Sequence, residues 1–149
     1  YFRNERASAE AMDGDWLRSG DLGFILDGNL YVTGRDKEVI IKAGRNIYPY
    51  DLERVAGEVE GAIRGGVAAF AKPNAETGTD DIVLFVECRK QHEAERARVM
   101  KEVRGEVLAA LGVKPDKIVL RPVGSLPRTT SGKIQRRHCI SLMKSAEGI

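Results

Sequence analysis

Two helical stripes and three apolar runs dominate the chain from residue 49 onward. Leu52, Val55, Ala56 and Val59 repeat at i, i+3, i+4 and i+7, the spacing of one buried helix face. Pro49 stands where a first helical residue needs no N–H, and Asp51 and Glu53 suit the positive end of the helix dipole. The spacing predicts a helix from Pro49, ended by Gly61 and Gly65-Gly66. A second helix is predicted over Glu93–Leu111, with Val99, Val103, Val107 and Leu111 on one face, Glu95, Arg98, Glu102 and Glu106 around it, and Gly112 as its stop. Between these helices lie Val67–Ala71 and Ile82–Cys88, apolar and partly β-branched, which read as two core strands. Lys117–Pro122 supplies a third strand and Ile134–Lys144 a last, basic helix.

The first third differs. Asp13-Gly14, Ser19-Gly20-Asp21, Gly23 and Asp27-Gly28-Asn29 punctuate short apolar runs, so Tyr1–Thr33 reads as short strands with tight turns, including a hairpin across Asp27-Gly28-Asn29. It holds too little apolar area to fold alone and must lean on something else. The charged run Gly34-Arg35-Asp36-Lys37-Glu38 then interrupts the strands, either as a solvated loop or as a boundary. The fold class expected is α+β: an N-terminal β-hairpin segment, then a small mixed sheet of about three strands flanked by helices. Residues 1–36 separate from 37–149 in this reading.

Composition narrows the function. With 42% hydrophobic and 31% charged residues among 149, the chain is of the globular class. A net charge of +2 gives no global footprint for nucleic acid or a membrane surface, and no apolar run approaches a membrane span. Cys88 and Cys139 lie far apart, with only His92 and His138 to join them, so no metal site is expected. Cys88 reads as a core residue, and such cysteine usage suits a reducing cytoplasm. The first residues lack the form of a signal peptide, and without an initiating methionine the chain reads as if cut from something longer.

The stretch most suggestive of chemistry is Leu126–Arg137, LPRTTSGKIQRR, which sets Lys133 on a mobile turn of small and turn-forming residues, with no acidic neighbour in the stretch. An ammonium there is a reaching point charge suited to phosphate or carboxylate. A Walker phosphate loop is excluded, because Gly124 and Gly132 stand eight residues apart and Ile134 follows the lysine.

Three stretches in order, WLRSGDLG (Trp16–Gly23), GRDKEVIIKAGRNIYPYDLE (Gly34–Glu53) and LPRTTSGKIQRR, resemble the end of adenylate-forming ligases: acyl-CoA synthetases, fatty acyl-AMP ligases, luciferases and peptide-synthetase adenylation domains. The resemblance covers essentially the whole chain and only the last part of such an enzyme. It implies the C-terminal domain of the AMP-dependent synthetase fold, with residues 1–36 as the tail end of a large N-terminal domain and 37–149 as a mobile domain. Such enzymes form an acyl-adenylate from a carboxylate and ATP, then rotate the small domain and pass the acyl group to a thiol. By resemblance Lys133 is the catalytic lysine of adenylation, Asp21 and Arg35 meet the nucleotide, Lys37 is the hinge, and Gly44 and Arg45 sit on the loop facing the pantetheine path. The implied partners are ATP or AMP, a carboxylic and in particular fatty acid, CoA or an acyl-carrier protein, and the remaining domain, which would also supply the Mg2+ ligands.

The acceptor stays open. Many acyl-CoA synthetases carry Glu where this chain has Arg45, whereas fatty acyl-AMP ligases commonly read Gly-Arg-Asn there, usually followed by His rather than Ile47. The chain alone is expected to be inactive. A different reading takes Arg128, Lys133, Arg136, Arg137 and Lys144 as a polyanion-binding patch on a non-enzymatic α/β module, or as a docking face for a carrier protein, though interleaved aromatics are absent from the stretch.

Overall fold

The computed structural model describes residues 2–89 and 92–147. The chain forms two compact units, Tyr1–Lys37 and Glu38–Ile149. The first contains helix α1 (Glu5–Ala11), a minimal ladder of β1 (Met12–Asp13) with β2 (Trp16–Leu17), and a hairpin of β3 (Asp21–Leu26) with β4 (Asn29–Arg35). Leu26 pairs with Asn29 around a two-residue turn, Asp27-Gly28, both at positive φ (50° and 76°), so the turn matches the strands' own twist. Phe24 and Tyr31 stack across the pair with centroids 5.1 Å apart. Among the described residues of this unit no hydrophobic side chain is buried, and Trp16 (79% exposed), Ile25 and Leu30 stand in the open.

A single 3-10 turn, Asp36–Glu38, leads into the second unit: β5 (Ile40–Lys42), β6 (Arg45–Ile47), α2 (Pro49–Gly57), β7 (Ala62–Asn74), β8 (Thr79–Cys88), α3 (Glu93–Leu111), β9 (Lys117–Arg121) and α4 (Arg136–Glu147). The main sheet has the order β7-β8-β9, antiparallel on one side of β8 and parallel on the other. It is the mixed three-stranded sheet expected. The parallel pair is joined through α3, as parallel neighbours require.

Alternation along the strands divides the core between two faces. Val67, Ala69, Ile82, Leu84, Val86, Ile118 and Leu120 pack with α2 and α3, whose Leu52, Val55, Ala56, Val99, Val103 and Val107 are all buried. Ala68, Phe70, Val83 and Phe85 face the other way, against Leu126 and against Cys139 and Met143 of α4. Because both faces are covered, the strands read as continuous apolar runs rather than alternating ones. α3 ends at Gly112 (φ 64°), as predicted.

Three local expectations are corrected. α1 occurs where only strands and turns were expected: it buries nothing, so it has no apolar stripe, and it is marked instead by Asn4, whose side chain accepts from the Ala7 N–H at 3.0 Å. The stretch carrying Gly44 and Arg45, expected as a loop, is a hairpin of β5 and β6 turning on Ala43 (φ 49°) and Gly44 (φ 75°). α2 ends at Gly57, and Gly65-Gly66 lies inside β7, in a register break opposite β8. Among the described residues no helix is long and apolar enough to cross a membrane.

Candidate functional site

Lys133 sits on a closed turn rather than the mobile one its composition suggested. Thr129 N–H donates to the Lys133 carbonyl at 2.8 Å, Gly132 N–H to the Thr129 carbonyl at 2.9 Å, and Lys133 N–H to Thr129 Oγ1 at 3.1 Å. Gly132, at φ 82°, supplies the left-handed residue that closes it. Gln135 ties the base: its N–H donates to the Pro127 carbonyl and its Nε2 to the Arg128 carbonyl, both at 2.8 Å. The Lys133 side chain projects from this brace, exposed, with no hydrogen bond or ion pair among the described residues. The backbone is fixed and the cation is available.

The turn is anchored from below. Glu87, 2% exposed near the end of β8, accepts from the Leu126 N–H at 3.0 Å and faces the Arg128 guanidinium at 3.5 Å. The same guanidinium donates to the carbonyls of Gly65 (2.9 Å) and Gly132 (3.0 Å). Behind the turn, Arg136 at the start of α4 grips Glu53 of α2 through two bonds of 2.7 Å and Glu38 through one of 2.5 Å. Burial pulls the Arg136 pKa down, but the bonds and charges of Glu53 and Glu38 outweigh it, and the guanidinium is held above its ordinary value. Of the cations that could have made a polyanion patch, Arg128 and Arg136 are therefore already paired inside the fold.

In the first unit, Asp21 and Arg35 are register partners at the base of the β3–β4 hairpin, with Arg35 Nε donating to Asp21 Oδ1 at 3.1 Å. The pairing leaves Asp21 Oδ2 without a hydrogen bond among the described residues and able to accept one. Lys37 lies in the 3-10 turn, exposed, at the boundary between the units, and the next residue, Glu38, is fastened to Arg136.

Gly44 and Arg45 sit on the β5–β6 hairpin. Its edge is pinned to the start of β8: Ile41 N–H donates to Asp80, Ala43 N–H to Thr79 Oγ1, and the Thr79 hydroxyl to the Ile41 carbonyl. Lys42 bridges Asp81 and Asp116, and although burial lowers its pKa, the Asp116 and Asp81 contacts win and raise it overall. Gly44 borders an open groove that also touches Ile41, Pro73, Asn74 and Thr77. Arg45, on the same hairpin, donates to the carbonyls of Leu111 (3.2 Å) and Gly112 (3.1 Å), closing the C-terminus of α3 where carbonyls lack helical partners.

The structure thus brings Asp21 and Arg35 together and sets Lys133 and Gly44 apart. Gly44's hairpin is held at Thr79 and the lysine turn at Glu87, eight residues along one strand, so these anchor points lie roughly 26 Å apart. Sequence reasoning missed Glu87 and Gln135, and read Arg128 only as one cation of a polyanion-binding patch. The signal for Glu87 was present: it is the one charge in the run IVLFVEC, and Gly65-Gly66 lies in the neighbouring strand β7. Among the described residues no three His, Cys, Asp or Glu side chains cluster to hold a metal ion.

No family model matches the chain. The long-chain-fatty-acid–AMP ligase FadD26 of Mycobacterium marinum is 39% identical over 139 residues, covering 89% of this chain and 23% of that protein. A solved structure of fatty acyl-adenylate ligases from E. coli and L. pneumophila superposes with TM-score 0.79 and 36% identity, over 99% of this chain and 26% of the other. The McyG A-PCP structure, complexed with phenylalanyl-adenylate, gives TM-score 0.86 at 27% identity, over 97% and 26%. The chain spans about a quarter of the length of the curated relatives it matches. By homology to fatty-acid–CoA and fatty-acid–AMP ligases and by its fold, the chain belongs to the adenylate-forming, AMP-binding family, as a C-terminal portion.

Proposed function

We propose that this chain is the mobile C-terminal part of an ATP-dependent fatty acid ligase acting in the cytoplasm. In the reaction a fatty carboxylate oxygen bonds to the α-phosphorus of ATP as pyrophosphate leaves. A thiol sulfur then bonds the acyl carbon as AMP leaves, and the thiol proton passes to solvent. The observation that carries the reading is the unpaired Lys133 ammonium on a fully braced turn. A cation carried on a held backbone can reach the negative charge shared by carboxylate and α-phosphate and stabilise it as it grows. Asp21 Oδ2 receives the ribose hydroxyls, with Arg35 holding the carboxylate in place.

The first unit reads as the tail end of a larger domain, because it buries no hydrophobic side chain of its own among the described residues. Lys37 is the hinge, with Glu38 already part of the rotating body. After rotation the groove beside Gly44 takes the pantetheine arm of CoA or of a carrier protein. Magnesium enters with the nucleotide, on ligands beyond this chain.

Replacing Lys133 by Ala in the full-length enzyme is expected to slow pyrophosphate release from fatty acid and ATP about 1,000-fold, to a small residual rate. Transfer from supplied acyl-adenylate to a thiol should survive. Pyrophosphate release at the parent rate would overturn the reading. Offering CoA and holo-carrier protein separately assigns the acceptor.

A further inference from the structure

We propose that Arg128 and Glu87 are positioning residues for Lys133, a step that rests on the function proposed above. Three features that each cost stability converge at one place. Glu87 is a carboxylate at 2% exposure, and a buried charge is expensive unless it is paired. The β7–β8 ladder breaks opposite it, with Ala62 paired to Cys88 and Val67 to Val86. Two glycines occupy the break, and a Cβ on Gly66 would come within 2.7 Å of Glu87 Oε2 and 2.8 Å of Ile63 Cβ. The glycines make room for the carboxylate.

The product of this arrangement is a fixed location for one guanidinium. Arg128 is held by Glu87 and by the Gly65 carbonyl in the broken ladder, and its other nitrogen holds the Gly132 carbonyl, the peptide directly preceding Lys133. Glu87 also holds the Leu126 N–H, so both ends of the segment leading into the turn are referenced to the sheet. Leu126 itself plugs the core at 3% exposure. A lysine on a four-carbon stem has many rotamers, and placing its head group depends on how firmly its backbone is held. Arg128 touches the turn and not the ammonium, so it acts through Lys133.

The test uses the full-length enzyme and measures two half-reactions: pyrophosphate release, and thiol transfer from supplied acyl-adenylate. Arg128→Ala is expected to lower the adenylation kcat about 100-fold, with little change in KM, while transfer is retained. Arg128→Lys, which keeps the charge but not the planar fork, should recover little of the loss. Glu87→Gln keeps an acceptor for the Leu126 N–H, and is expected to lose about tenfold by loosening Arg128. The deciding variant is Arg128→Ala combined with Lys133→Ala, which should be no slower in adenylation than Lys133→Ala alone. A double variant markedly slower than Lys133→Ala, equal losses in both half-reactions, or full adenylation by Arg128→Ala would each overturn the proposal. Should Arg128→Ala not fold, Arg128→Lys and Glu87→Gln decide by the same readouts. Full adenylation by Lys133→Ala would overturn the proposed function and this inference with it, an outcome distinct from Lys133→Ala failing while Arg128→Ala succeeds.

Discussion

Replacing Arg136 by Met tests whether α4 is held by its ion pairs or only by its apolar face. The substitution keeps the stem volume and removes two bonds to Glu53 and one to Glu38. Glu53, at 15% side-chain exposure, would keep only the Ala69 N–H at 3.0 Å among the described residues. Breaking a fully buried pair costs about 3–5 kcal/mol. Here the guanidinium is 23% exposed and Glu38 31%, so solvent takes up part of the loss, and about 2 kcal/mol is expected. Urea unfolding followed by circular dichroism should show the midpoint falling by about 1 M with an unchanged slope. Combining Arg136→Met with Glu53→Gln removes the charges of this pair while keeping an acceptor for the Ala69 N–H, and should recover part of the loss. A loss under about 0.5 kcal/mol for Arg136→Met, or a double variant worse than the sum of the singles, would refute the reasoning.

Gly66→Ala should cost about 1–3 kcal/mol by overpacking against Glu87 and Ile63, read as a lower thermal midpoint, whereas the same change at the unobstructed Gly105 should not. The Cys139 thiol, fully buried, is pushed by burial up to about 11, so it should resist alkylation at pH 8 in the folded state and react once the protein is unfolded. Its raised pKa, like that of Lys42, contributes stability present below the unfolded value and lost as pH rises through the folded one. Stability should therefore fall from about pH 9 to 11 through Cys139, with the Lys42 contribution lost only above its ordinary 10.5, and a flat profile from pH 9 to 11 would contradict the Cys139 assignment. Arg45→Ala should cost about 1 kcal/mol by uncapping α3, seen as faster amide exchange at its C-terminal turn.

The parts of the fold readable from sequence were those in which one buried face imposes a period. α3 was bounded at both ends because Val99, Val103 and Val107 face the sheet and Gly112 must adopt positive φ. α1 gave no such pattern because nothing covers it. The β5–β6 hairpin was missed because its turn places Ala43, not Asn or Asp, in the left-handed region, and it is held by contacts from the distant Thr79 and Asp80. The same reason hid most of the candidate site. Lys133 could be selected from its own neighbours, whereas Glu87 lies 39 residues from the Leu126 N–H it holds, and Arg45 meets Leu111 across 66. Local composition carries no record of such pairings.

β8 joins the anchor of the lysine turn at one end to the anchor of the Gly44 hairpin at the other. A strand sealed on both faces does not bend, so on the proposed function only one of its ends can occupy the reaction centre at a time. Activation and thiol capture become mutually exclusive occupancies of one space, and the thiol cannot compete with the carboxylate for the nucleotide. The kinetic order follows from a ruler: pyrophosphate departs before the acceptor can react, and a compound that traps Lys133 at the phosphate blocks the thiol without resembling it.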